Sequence, residues 1–130
     1  MEFPKELKYT KTHEYLKPQK NNLATIGITS YASSELGDVV FVELPEVGKT
    51  FKCNEKFGVI ESVKSVSDLY IPCDGKIIEV NKEINDHPEF INQDPYGKGW
   101  ILKIELTDLN KNKELISADE YSKFVTCQAH

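Results

Sequence analysis

Apolar and polar residues alternate with a period of two along most of the chain. "NLATIGI" (22–28), "DVVFVELP" (38–45), "FGVIESV" (57–63), "VSDLYIP" (66–72), "GKIIEVN" (75–81) and "GWILKIEL" (99–106) each carry that pattern. Period two puts successive side chains on opposite faces of a strand. In the last run Trp100, Leu102 and Ile104 share one face, so the tryptophan is expected in the core. Turn-forming segments separate the runs: "PEVG" at 45–48, "PCDG" at 72–75 and "DPYGKG" at 94–99. Short strands at this spacing predict an all-β fold, a sandwich or a barrel. "ELPEVGKTF" and "LYIPCDGKIIEV" both place a proline three residues before Gly-Lys, a faint echo consistent with two similar strand–turn–strand halves.

Two segments break the alternation. "TSYASSELG" (29–37) predicts two helical turns, with Thr29 or Ser30 as the cap and Gly37 as the stop. "SADEYSKFVTCQ" predicts a C-terminal helix. Its Ser117 and Glu120 have capping-box spacing, and Tyr121, Phe124 and Val125 form the stripe that packs it on the sheet. "NDHPEFIN" (85–92) has room for a single further turn.

Composition narrows the class. The 130 residues suit a single domain spanning 1–130, and 39% hydrophobic residues suffice for one core. The net charge is -5, and all sixteen basic residues are lysines. Nucleic acid is therefore disfavoured as a partner, because phosphate recognition favours net positive charge and arginine. No run of 18 apolar residues is present, so no membrane-spanning helix is expected. "MEFPKELKY" has neither a signal core nor an arginine-rich amphipathic start, which points to a bacterial cytoplasm, or to a mitochondrial matrix for a processed chain. Cys53, Cys73 and Cys127 match no zinc or CxxC spacing and read as ordinary thiols, and His13, His87 and His130 are scattered. With no nucleophile–histidine pair, phosphate loop or metal cluster, an enzyme is disfavoured.

One residue stands out. In "GVIESVKSVSDLYIP" (58–72), Lys64 falls at or beside a hairpin tip that lacks the Asn-Gly or Asp-Gly of an easy two-residue turn. Its near charges in sequence, Glu61 and Asp68, favour the ammonium form, the opposite of what a catalytic lysine needs. An exposed amine on a rigid tip suits attachment of a group by another enzyme.

These residues carry a resemblance. "KYTKTHEYL", "ATIGITSYASSELGDVVFVELPEVG", "FGVIESVKSVSDLYIPCDGKIIEVN", "NDHPEFINQDPYGKGWILKIEL" and "SADEYSKF" resemble, in order, the blocks of the glycine cleavage system H protein family. The resemblance implies a lipoyl-domain-like barrel-sandwich hybrid of two antiparallel sheets, with short helices and a C-terminal helix. It implies lipoic acid covalently attached at Lys64, and a non-catalytic carrier. The lipoylated arm would take an aminomethyl group from glycine decarboxylase (P protein) to the tetrahydrofolate-dependent aminomethyltransferase (T protein). Dihydrolipoyl dehydrogenase (L protein) would then reoxidise it. By the same resemblance Glu61 and Ser62 help the lipoyl-attaching enzyme read the hairpin, while Thr12, Glu14 and Asp68 line the pocket of the loaded arm. A monomer is expected.

The chain departs from the family at Tyr15, where tryptophan is common, at Ser65, where alanine is common, and at Glu35, where some members carry a histidine near the arm. A lipoyl domain of a 2-oxo acid dehydrogenase would have Asp-Lys-Ala at the tip, and a biotin carrier would flank its lysine with methionines. The remaining alternative is a dedicated relay that supplies lipoyl groups to 2-oxo acid dehydrogenases.

Overall fold

The computed structural model describes residues 3–107 and 115–128, without the side chains of Cys127 and Gln128. The Cys127 thiol and His130 lie outside the described residues. Nine strands form two antiparallel sheets. They are β1 (Lys8–Tyr9), β2 (Glu14–Pro18), β3 (Leu23–Ile28), β4 (Val39–Glu43), β5 (Thr50–Phe51), β6 (Lys56–Ser62), β7 (Val66–Tyr70), β8 (Gly75–Val80) and β9 (Leu102–Leu106). The larger sheet runs β1-β2-β3-β9-β8-β5, and the smaller runs β4-β6-β7. This is the two-sheet, lipoyl-domain-like arrangement expected above.

All six predicted runs form strands. The two echoing segments lie side by side: Thr50 pairs with Lys76 and Phe51 with Gly75, and Gly48 and Ile77 continue the ladder through an amide-to-carbonyl bond of 2.7 Å. The alternation delivers the core directly. Ile26, Ile28, Val42, Ile60, Leu69, Ile77, Leu102 and Ile104 are all buried between the sheets. At roughly 1.5–3 kcal/mol for each fully buried aliphatic side chain, this layer is the main stabilising term.

Trp100 corrects the expectation. It precedes β9 and is only partly buried, with Lys103 Nζ 5.2 Å from its ring centroid. Ile101 and Leu102 are both fully buried, so period two does not extend back to the tryptophan. Val66, the first apolar residue of the predicted run 66–72, is 66% exposed and stays outside the core.

Helix α1 (Ser30–Leu36) is capped by Thr29, whose hydroxyl accepts from the Ala32 amide. It stops at Gly37, whose φ of 77° is favourable only without a Cβ. The segment predicted to hold one turn holds two short helices, α2 (Glu83–Asp86) and α3 (Glu89–Gln93). Asn92 of α3 clamps the passage from α1 into β4: its Nδ2 donates to the Gly37 carbonyl at 2.7 Å, and its Oδ1 accepts from the Val39 amide at 2.9 Å.

Helix α4 (Ala118–Gln128) begins at the predicted capping box. The Glu120 amide donates to Ser117 Oγ, and Glu120 Oε1 accepts from the Ser117 hydroxyl and amide. Its stripe packs on a second, smaller core with Leu7, Tyr9 and Tyr15. Tyr121 stacks on Tyr9 with centroids 4.8 Å apart. Tyr15 is fully buried on the same side, donates to the Pro95 carbonyl at 2.7 Å, and lays its ring over Gly27, its register partner. A Cβ at Gly27 would meet that ring at 2.6 Å, so a residue without one is needed there.

Candidate functional site: a lysine hairpin beside an acid-lined cleft

Strands β6 and β7 meet at a tip formed by Val63, Lys64 and Ser65, all exposed. The Ser62 side chain supplies the turn chemistry that the sequence lacks. Its hydroxyl accepts from the Ser65 amide at 3.1 Å, while the Ser62 amide donates to the Ser65 carbonyl at 2.8 Å. Ser62 faces inward and is 8% exposed, so the hydroxyl is part of the hairpin itself. The Val63 amide donates to the Asp38 carbonyl at 3.0 Å, tying the tip to the end of α1. The Lys64 stem leans over Gly37: a Cβ added there would lie 3.4 Å from Lys64 Cε.

Glu14 opens β2. Register puts it opposite Ile28 and on the face of Leu16, so the carboxylate points into the sandwich and is 2% exposed. Its Oε1 accepts from the Thr12 hydroxyl and, at 3.0 Å, from the Thr10 hydroxyl. Oε2 accepts from the Tyr70 amide of the edge strand β7 at 3.5 Å. A buried carboxylate without a cation is costly. Desolvation pushes the Glu14 carboxyl up to about 7, against the downward pull of the hydroxyl and amide donors. The loop carrying Thr12 is tight, with His13 at φ 74°, a conformation rare for a residue with a Cβ.

A cleft of about 290 Å³ opens above this carboxylate, between α1, the 12–14 segment and β7. Thr12, Glu14 and Asp68 all line it, so the three residues assigned to a pocket on resemblance come together. Its walls include Ile28, Leu36, Ile60 and Leu69. Leu36 is next in chain to Gly37, and Ser67, also at the cleft, lies three residues beyond Lys64. Asp68 differs in environment from Glu14. It is about half exposed and pairs with Lys56 at 3.2 Å, not with Lys64 as its position in sequence suggested. Glu61 is half-buried on the outer face of the small sheet, in register between Phe41 and Val66.

Sequence reasoning missed two contributors. Thr10, which accepts from the Glu14 amide at 3.1 Å and donates to its carboxylate, has no signal beyond its spacing of four. His13 was read as one of three scattered histidines, yet its ring lines the cleft with Glu35. Nδ1 is 2.7 Å from the Tyr121 hydroxyl, which is also 2.7 Å from Thr29 Oγ1. Burial holds the imidazole below its ordinary range, opposed by the Glu35 carboxylate. The arrangement suits a small cation carried on an apolar stem: hydroxyl and carboxylate at the floor, and aliphatic walls that run at Leu36 to the neighbour of Gly37.

The family model for the glycine cleavage H-protein matches residues 7–128. The chain is 54% identical over 125 residues to the glycine cleavage system H protein of Staphylococcus epidermidis, covering 96% of this chain and 98% of that protein. It is 54% identical over 121 residues to that of Symbiobacterium thermophilum, covering 93% and 94%. The crystal structure of a glycine cleavage system H protein from Mycobacterium marinum superimposes with a TM-score of 0.88 at 41% identity, covering 95% of this chain and 99% of that one. Matched over nearly its whole length by the family model and by these relatives, the chain belongs to the glycine cleavage H-protein family.

Proposed function

We propose that Lys64 bears lipoic acid in amide linkage and that the cleft over Glu14 shelters the aminomethyl group the arm carries between enzymes. The observation that carries this reading is the Glu14 carboxylate. It is buried with no cation paired to it among the described residues, and oriented by two hydroxyls, in a cleft whose Leu36 wall is next in chain to Gly37, over which the Lys64 stem leans. A dedicated lipoyl relay would have no use for such a floor.

The residues fit the group. Lys64 offers an exposed amine on a four-carbon stem, and its neighbour Gly37 leaves that stem room. When bound, the lipoyl group supplies redox-active sulfurs that take up the one-carbon unit and are later reoxidised, so the chain needs no nucleophile of its own. Lys64 loses its charge on amidation and serves as a tether, which raises the effective concentration of the cargo at each partner.

Glu14 meets the cationic amine. An ammonium beside this carboxylate favours its ionised form, so Glu14 gives up its proton near neutral pH as the cation arrives. The ion pair in turn holds the amine protonated. A protonated nitrogen has no lone pair with which to expel the sulfur, and hydrolysis slows. Thr10 and Thr12 keep the carboxylate aimed, and Asp68 adds negative charge at the rim. Glycine decarboxylase, aminomethyltransferase and dihydrolipoyl dehydrogenase are the enzymes the arm visits, and a separate lipoyl-attaching enzyme loads Lys64, reading Glu61 directly and the buried Ser62 only through the turn its hydroxyl holds.

Two measurements test this. Peptide mapping of the natively expressed protein should find the lipoyl mass increment on Lys64; an unmodified lysine in a host with active lipoyl attachment would overturn the reading. The lifetime of the aminomethyl adduct should be longest above about 7 and should shorten at more acid pH, where Glu14 takes up a proton against the pull of the ammonium; Glu14→Ala should shorten it above about 7, with the difference from wild type closing at acid pH. An unchanged lifetime removes Glu14 from the scheme.

A further inference from the structure

The outer face of the large sheet carries a small polar pocket. Alternation puts Ala24 and Ile26 in the core between the sheets, so Thr25 of β3 points the other way. Register sets Lys17 of β2 opposite it on one side and Lys103 of β9 on the other. With Tyr96 and Trp100 these residues line a cavity of about 220 Å³.

Thr25 is unusual for an outer-face residue. It is 6% exposed, and its Oγ1 is buried with no hydrogen-bond partner, alone in this among the side-chain polar atoms of the described residues. An unpaired buried hydroxyl destabilises a fold, and valine would fill the same space without that cost. The flanking charges are only partly neutralised. Lys17 is exposed and has no ion-pair partner among the described residues. Lys103 faces Glu79 of β8 at 3.7 Å, and its ammonium lies over the Trp100 ring. Two lysines against Glu79 leave one net positive charge. Neighbouring strands lie about 4.8 Å apart, so the two lysine stems rise about 10 Å apart with Thr25 midway.

We propose that this pocket binds a small ring-bearing carboxylate. Its oxygens accept from the Thr25 hydroxyl at the floor and from the Lys17 and Lys103 ammonium groups at the flanks. Its ring packs against Trp100 and Tyr96. A carboxylate matches the single net positive charge, which a phosphate dianion exceeds. The site is separate from the Glu14 cleft, because Glu14 and Leu16 point into the sandwich while Lys17 points out of it. The two still share a support. The Tyr96 hydroxyl accepts from the Ser30 amide at 3.0 Å, at the start of the helix that walls the cleft. A ligand held against Tyr96 therefore meets the side chain that anchors that wall.

Trp100 is the only tryptophan of the chain, so its indole N–H gives one NMR signal. Benzoate titrated into the full chain at low salt should shift that signal and the Thr25 amide saturably. Acetate and inorganic phosphate should bind at least about tenfold more weakly, and benzylamine, a ring with a cation, should not bind. Thr25→Val, which keeps the shape without the hydroxyl, should weaken benzoate about fivefold. Lys17→Gln combined with Lys103→Gln should weaken it about tenfold and remove its salt dependence. Lys17→Gln alone, at an exposed position, carries the measurement should the double variant unfold. Lys52→Gln, outside the pocket, should bind as wild type does. Absence of a saturable shift at Trp100 overturns the proposal, and so does undiminished binding to Thr25→Val. Phosphate binding as tight as benzoate would mark a general anion patch, and benzylamine binding an apolar pocket; either overturns the carboxylate assignment. Lys64→Arg should bind benzoate as wild type does, so the outcome is independent of the carrier reading.

Discussion

The lysine tip and the Glu14 cleft are neighbours with opposite physics. Lys64 is exposed, at the end of a turn held by one serine hydroxyl. Glu14 is 2% exposed, with three donors on its carboxylate and a titration moved to about 7. The tip invests in access and, on the proposed reading, leaves its chemistry to an attached group. The cleft invests in electrostatics and accepts a stability penalty for it. A carrier needs both: a reach that many enzymes can use, and a resting place that water cannot.

The comparison breaks hardest at the tip. Lys64→Arg should abolish lipoylation and all carrier activity, while stability changes by no more than about 0.5 kcal/mol, as for an exposed substitution. A residual lipoyl signal by intact mass would show a second attachment point.

Glu14→Gln should do the reverse for stability. The folded carboxyl titrates above its unfolded range, so the proton is held more tightly in the folded state. Its contribution to stability is fully present at acid pH and is lost as pH rises through about 7. The variant should therefore match wild type near pH 4 and exceed it by up to ~3 kcal/mol above neutrality, in urea titrations at both pH values. The same variant should hold the aminomethyl cargo poorly. A variant no more stable than wild type at alkaline pH would mean that the buried carboxylate is not under strain.

Ser62→Ala should cost about 1 kcal/mol, the value of the turn hydrogen bonds it removes, and should broaden the NMR amide signals of residues 63–65. Asp68→Asn should alter stability least, by under about 0.5 kcal/mol, because its pair with Lys56 is solvent-exposed. Its effect should appear instead as a modest shortening of adduct lifetime. A large stability loss would place Asp68 with Glu14 rather than with the rim.

The two regions were also unequally readable in sequence. Long alternating runs carry their own signal, and β3, β4 and β6 to β9 follow it. Strands β1 and β5 are two residues each and leave no periodicity to detect. β2 ends in a proline and begins with a glutamate, neither a strand former, although its pairing with β3 buries it. The Lys64 tip was readable because its two strands and its turn lie within a few residues, although its ties to Gly37 and Asp38 do not. The Glu14 environment was not, because its burial depends on Ile28 and on the Tyr70 amide, 56 residues away. Resemblance named Glu14 without explaining it; Thr10, which no resemblance named, could be found only in three dimensions. Val66 makes a general point: a valine in a strand belongs to the core only if it faces inward, and register shows that this one faces out.

The second small core under α4 has a consequence for the cargo. Tyr121 sits in that core and also reaches, through its hydroxyl, both His13 and Thr29, the residues that flank the cleft floor and start its helical wall. The last helix is therefore a brace for the cleft, while the lysine hairpin belongs to the other sheet and owes it nothing. Fraying of the C-terminus would leave the arm attached and swinging, yet let its burden leak away to water.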